Sequence, residues 1–264
     1  MDYSLLAKDI GPKGKKRLRC LTFLILATII AAFIAIAYGL YQSGELNKSK
    51  WVIYTNLATW KFLGIGLWNT IQVATMDFIF SMGVGAIIAS GQLSTYRPLR
   101  WLSIAYVEIF RAIPTLLMIL FCFFGLPMLG VNTNPFWSIV LGSGLYNSAV
   151  LSNIFRSGIQ TVDKGQYEAA YSLGVEHSDV MQRIIWPQAL RRMRPAIIAQ
   201  CVVLFKDSSL GFVIGYEEVL RRSQEIGTFT SSSLQPYLVG GCIYIVVIYL
   251  LRKLSGDSQA SQRT

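Results

Sequence analysis

The sequence predicts an all-α membrane protein of about six transmembrane helices, and three observations predict it. Of 264 residues 53% are hydrophobic and only 14% charged, against about 25% charged in a soluble domain. The apolar residues gather into segments near the ~20 residues that cross a bilayer, with polar stretches between them. The 24 lysines and arginines are distributed one-sidedly: seventeen lie in residues 1–19, 94–100, 156–194 and 252–264, and five (Lys48, Lys50, Lys61, Arg221, Arg222) in the alternate loops. The remaining two, Arg111 and Lys206, fall inside apolar segments. By the positive-inside rule this bias places both termini and the 156–194 loop in the cytoplasm. It also explains the net charge of +10 without a nucleic-acid partner.

In order along the chain, a basic N-terminus (1–19) precedes an apolar segment, 20–41, that is longer than a signal-peptide core and lacks a small-x-small cleavage site beyond it, so it reads as an uncleaved helix. The polar stretch 42–61 carries Trp51, Tyr54 and Trp60 as interfacial anchors of an outer loop. Further spans are expected over 62–93, 101–126, 136–155, 195–214 and 237–251, followed by a tail, 252–264, on the cytoplasmic side. The second is longer than a bilayer needs, so its ends project or tilt. Cys20, Cys122, Cys201 and Cys242 lie in or beside apolar segments without CxxC spacing and read as packing residues. The single histidine, His177, has no ligand partners at metal spacing.

The most informative polar stretch is 163–195. Asp163 and Gln166 have the spacing of a capping box, so a helix starts there and carries Tyr167 to Leu173. Gly174 ends it in a left-handed conformation, Ser178 caps a second short helix reaching Trp186, and Pro187 stops that one. Ala169 and Ala170 leave a low-relief face for another protein.

Glu168-Ala169-Ala170, then Gly174, Ile184-Ile185 and Trp186-Pro187, resembles the EAA loop of permease subunits of bacterial ABC importers, with Trp186 where the family usually has leucine. Gly66-Leu67-Trp68-Asn69-Thr70-Ile71, Val107-Glu108-Ile109-Phe110-Arg111-Ala112-Ile113-Pro114 and Lys206-Asp207-Ser208-Ser209-Leu210 are similar to successive signatures of the polar amino acid permeases, typified by histidine and glutamine importers. Gly11-Pro12-Lys13, the added first helix and Arg111-Ala112-Ile113-Pro114 resemble actinobacterial glutamate importer permeases.

The resemblance implies a type I ABC permease fold over residues 62–251, with a cytoplasmic coupling loop over 163–187 in which Glu168, Ala169, Ala170, Gly174 and Pro187 face the ATPase. It implies as partners a cytoplasmic ATPase dimer that holds ATP and Mg, a second permease, identical or related, an extracytoplasmic amino acid binding protein, and the lipid bilayer of a bacterial inner or plasma membrane. The chain itself has no GxxxxGK[ST] phosphate loop, binds no cofactor on this reading, and is no enzyme. A secondary transporter or channel would also hold intramembrane charges but needs no docking loop. A membrane-embedded enzyme would need a nucleophile and base that the sequence does not display.

Charges within a bilayer cost about 3 kcal/mol each on insertion scales, so Asp77, Glu108, Arg111, Lys206 and Asp207 are the candidate substrate-pathway residues. Glu108 and Arg111, three apart on one helical face, either pair with each other or meet substrate. Lys206, about 16 Å along a helix starting at Pro195, either opposes an acidic substrate or pairs with a carboxylate on another helix. Asp207, Ser208 and Ser209 favour caps over helix interiors, so the helix is expected to break there and present amides to a substrate carboxylate. Asp77 faces the subunit interface or the pathway. Residues 216–226 form a charged amphipathic helix that either receives the binding protein or lies solvated at the interface.

Overall fold

Backbone polar groups in hydrocarbon must be satisfied within their own segment, which leaves the helix as the means of crossing for a chain of this pattern. The computed structural model describes residues 12–232 and 234–260; the first eleven residues of the basic N-terminus and the last four of the expected tail lie outside the described residues. The chain divides into two compact units, Met1–Thr55 and Asn56–Thr264.

The first unit holds α1 (Pro12–Gln42) and a 3-10 stretch, Lys48–Thr55. Helix α1 begins eight residues before the expected 20–41 segment, because proline suits a first helical turn and nothing in the basic run breaks a helix. From Cys20 to Ile36 its apolar side chains are exposed, Phe23 at 75% and Phe33 at 73%.

The second unit opens with α2 (Leu57–Leu93), whose start is set by Asn56, its side chain accepting from the Ala58 amide at 2.9 Å. Then come α3 (Arg97–Ala112), α4 (Thr115–Leu120), a π turn at Phe121–Gly125 and α5 (Leu126–Met128). The continuous helix expected over 101–126 is therefore corrected. Ile113, preceding Pro114, is forced to extended backbone (φ −88°, ψ 128°), and the two arms meet at 99°.

Next are α6 (Pro135–Gln160), α7 (Lys164–Ser172), α8 (His177–Asp179) with a π turn at Val180–Ile185, and α9 (Trp186–Asp207). A 3-10 stretch (Ser208–Ile214), α10 (Val219–Thr230) and α11 (Leu234–Ala260) complete the unit. Two expectations fail together here. Pro187 does not stop a helix but sits in the first turn of α9, where its missing N–H would have had no helical partner; and that helix does not begin near Pro195, which lies within it.

Helix α6 is the hub, packing against α2, α3, α4 and α9. Close crossings rest on its glycines: a Cβ at Gly142 would stand 2.6 Å from the Ile119 backbone. One apolar cluster (Val73, Ile119, Ile139, Val140, Ile214) lies among α2, α4, α6 and the 3-10 stretch, and a larger one at the other end of α6 holds Phe155, Ile159, Ala170, Val180, Ile185 and Met193. Among the described residues four helices are long and apolar enough to cross a membrane, and the bent α3–α5 pair, counted as one broken span, would be a fifth. The 26-residue α6 is too polar for that count, because its buried residues include Ser138, Ser143, Asn147, Ser148 and Ser152, which face neighbouring helices.

Candidate functional site

The 163–187 loop is the first candidate. The Asp163 carboxylate accepts from the Gly165 amide at 2.8 Å and starts α7. Gln166 does not close the reciprocal half of the box; its Oε1 accepts from Gln188 Nε2 at 3.1 Å and so ties α7 to α9. At the far end Gly174 has φ +73°, its N–H donating to Tyr171 O (3.0 Å) while the Val175 N–H donates to Ala170 O (3.2 Å), the paired bonds of a Schellman turn. The following turn starts at His177 after Glu176, with no side-chain cap from Ser178. Tyr171 OH and His177 Nδ1 lie 2.6 Å apart with stacked rings, clasping the corner.

The expected pair of alanines is divided. Ala170 is buried in the apolar cluster, whereas Ala169, Glu168, Gly174 and Pro187 are exposed. The outer face also carries Leu173, 82% exposed, and Tyr171, which residue pattern alone did not single out. Underneath, Val180 and Ile185 are fully buried beside Phe155. The loop is thus a mixed outer surface, polar and small residues with Tyr171 and Leu173 standing out of it, mounted on an apolar base.

The second candidate is a chain of buried polar groups through α2, α6 and α9. Asp77, 2% exposed, accepts from Ser81 Oγ at 2.9 Å and from Ser143 Oγ. Asn147 Nδ2 donates to Ser143 O at 3.0 Å, and Gln200 Nε2 donates to Asn147 Oδ1 at 2.6 Å. Asn147 also lies beside Asp207. Asp77 therefore faces neither a free interface nor open space but the α2–α6 crossing, and Ser143, Asn147 and Gln200 join it as residues the sequence did not flag. The signal for Ser143 and Asn147 is the recurrence of polar residues along α6 at 138, 143, 147, 148, 152 and 153, and for Gln200 a single amide in an apolar segment.

The helix break at Ser208 is present, but the amides it was expected to free are occupied. The chain runs directly into 3-10 turns, so the Ser208 N–H donates to Leu204 O, while the Ser208 and Ser209 hydroxyls donate back to Phe205 O and Lys206 O at 2.7 Å each. Lys206 is exposed in the last turn of α9, where a cation complements the helix dipole, and it forms no ion pair among the described residues. Its depth counted from Pro195 no longer holds, since α9 starts nine residues earlier. Glu108 and Arg111 form no ion pair either: Glu108 is exposed, and Arg111 lines a cavity of about 650 Å³ with Asn153, Ser157, Thr161 and Arg192.

At the opposite end of the unit the start of α2 forms a socket. Glu218, fully buried, accepts from the Leu220 and Arg221 amides and from Tyr244 OH, each at 2.7 Å. Asn69 Nδ2 donates to Glu217 O at 2.8 Å, Tyr216 OH to Asn69 O at 3.1 Å, and Arg222 to Phe62 O at 3.0 Å. A Cβ at Gly66 would meet the Arg222 stem at 2.8 Å. Burial holds the Glu218 carboxyl above the usual carboxylate range, and burial and then Glu218 push the Tyr216 phenol up to about 12. Residues 216–226 are consequently only half solvated: the helix itself starts at Val219, Glu218, Arg222 and Ser223 are buried, Gly66 receives Glu218 and Arg222, and Glu217, Arg221 and Glu225 stay on the outer face.

Comparison with known proteins accords with this geometry. Residues 81–255 match the family described as Binding-protein-dependent transport system inner membrane component. The chain is 35% identical over 225 residues to the glutamate transport system permease protein of Corynebacterium glutamicum, covering 84% of this chain and 82% of that one. It is 35% identical over 191 residues to the arginine transport system permease protein of Bacillus subtilis, covering 72% and 87%. A crystal structure of an amino acid ABC transporter with histidines superposes with a TM-score of 0.72 at 31% identity, over 81% of this chain and 96% of that one.

Proposed function

This chain belongs to the family of binding-protein-dependent transport system inner membrane components, among its amino acid permeases, and from that membership we propose that it is the translocation subunit of an ATP-driven glutamate importer. One observation carries the choice of glutamate. The match to the glutamate permease spans 225 residues, more than the 209 that follow Thr55, so it reaches into the first unit, whereas the match to the arginine permease spans 191. Relatives named for arginine, cystine and glutamine share the permease unit at similar identity.

In this reading the chain lies in a bacterial inner or plasma membrane with both termini cytoplasmic. It pairs with an identical or related permease, receives substrate from an extracytoplasmic binding protein, and rests its 163–187 loop on an ATPase dimer that holds ATP and Mg. Glu168, Ala169, Gly174 and Pro187 supply the docking face, and Ala170 seats it. Because Val180 and Ile185 are packed beside Phe155 of α6, a push on the loop moves the base of α6 and α9 as one body. Lys206, exposed and without an ion-pair partner among the described residues, supplies positive charge for an acidic substrate, beside Asp207, Ser208 and Ser209; Arg111 lines the cavity, Glu108 stands exposed one turn before it, and Asp77 holds the α2–α6 crossing between the moving parts.

The test is uptake of labelled glutamate, glutamine and arginine by proteoliposomes holding the chain with its co-encoded permease, ATPase and binding protein. Glutamate uptake that requires ATP is expected. ATP-dependent uptake of another amino acid would remove glutamate and leave the importer, and uptake indifferent to ATP would overturn the mechanism. Glu168→Ala is expected to leave ATP hydrolysis running while uptake falls at least about tenfold; normal uptake by that variant would remove the coupling role.

A further inference from the structure

We propose that the groove between α2 and the first turns of α9 binds an anionic phospholipid, with Arg191 and Arg194 on its phosphate and Met82, Ile197 and Ile198 along its acyl chain. The groove encloses about 460 Å³ and is lined by Met82, Leu190, Arg191, Arg194, Ile197 and Ile198, with no acidic residue among them. Positions 190, 191, 194, 197 and 198 follow one helical stripe, and so do Ile79, Met82 and Ala86 on α2. Both arginines are exposed, and neither forms an ion pair among the described residues, so their charge is uncompensated by protein.

The sequence of charge and apolar wall has the polarity of a lipid. Arg194 stands one turn, about 6 Å, before Ile198 along the helix, and the apolar stretch Pro195–Ala199 starts directly after the basic one. A soluble anion would be held by the guanidinium groups alone and would leave the isoleucines and Met82 unused. A basic pocket between membrane helices at the positively charged side is the setting in which anionic headgroups are recognised. The site is independent of which substrate is carried.

The experiment is native mass spectrometry of the assembled transporter titrated with phosphatidylglycerol and with phosphatidylcholine of the same acyl chains. Phosphatidylglycerol is expected to bind at least about tenfold more tightly, the preference being lost in Arg191→Gln/Arg194→Gln, kept in Arg191→Lys/Arg194→Lys, and kept in Arg97→Gln/Arg100→Gln, which removes the same charge elsewhere. If the glutamine pair fails to assemble, Leu190→Glu, at an exposed edge of the groove, should abolish the preference instead. Equal binding of the two lipids, or unchanged binding by Arg191→Gln/Arg194→Gln, overturns the proposal. So does displacement of the lipid by glycerol 3-phosphate at equal concentration, which would make this a soluble-anion site, or a disulfide from Leu190→Cys to the second permease, which would make the groove a subunit interface.

Discussion

The two ends of the permease unit are anchored by opposite physics. The 163–187 loop is held from beneath by apolar packing, Val180, Ile185 and Ala170 against Phe155 and Met193, and keeps its polar groups on the outside. The 216–223 turn is held by hydrogen bonds directed inward, Glu218 onto two amides and Tyr244, and Asn69, Thr70 and Arg222 across to the backbone of the other element. Apolar packing tolerates sliding of a few tenths of an ångström, whereas buried hydrogen bonds fix a position or are lost outright. The first arrangement suits a lever that takes load, the second a fixed hinge post.

That contrast is open to attack in order of expected effect. Glu218→Ala strips two amides and a phenol of their acceptor in a buried place and should cost about 3 kcal/mol or more; a thermal melt of the detergent-solubilised assembly should fall steeply, and an unchanged melt would mean that the socket is not a post. Gly66→Ala forces a Cβ to 2.8 Å from the Arg222 stem and 3.3 Å from the Glu218 carbonyl, and is expected to cost about 1–2 kcal/mol, with the Arg222 stem yielding more readily than the backbone.

Gly174→Ala should cost about 1 kcal/mol, since nothing crowds the position and only its positive φ resists a side chain. There the informative readout is the ratio of transport to ATP hydrolysis, which should fall more than the melting temperature does; the reverse would make the loop a post as well. The smallest effect is on pH. Burial raises the Glu218 carboxyl, so the folded chain keeps that proton to higher pH than the unfolded chain. Its contribution to stability is then fully present below the ordinary carboxylate range and is lost as pH rises through the raised value. Melts across pH 4 to 7 should show that decline in the native protein and a weaker one in Glu218→Gln.

Much of the 163–187 loop was legible in advance because its signals are local. Asp163 as cap, Gly174 as left-handed end and Ala170 one turn away all act within five residues of their partners. Pro187 misled because a proline reads identically as the stop of one helix and the first turn of the next; the π turn at Val180–Ile185, which merges the two, leaves no compositional mark. Lys206 and the serines marked a true break, yet which groups that break exposes depends on whether the chain continues into 3-10 turns. Glu108 and Arg111 have pairing distance in sequence but not in space, since a side chain three residues away competes with a cavity whose other walls come from α6 and α9.

The sequence by itself determined the helical class, the membrane setting, the one-sided charge and the two ends of α7, because hydropathy, charge and capping are properties of neighbours along the chain. Tertiary structure alone decided the passage of α9 through Pro195, the Asp77–Ser143 and Asn147–Gln200 links, and the burial of Glu218 and Arg222. The Asn147–Gln200, Asp77–Ser143 and Phe62–Arg222 links join residues 53 to 160 positions apart. A charged residue whose partner lies that far off looks, in one dimension, the same whether it faces water, lipid, substrate or another helix.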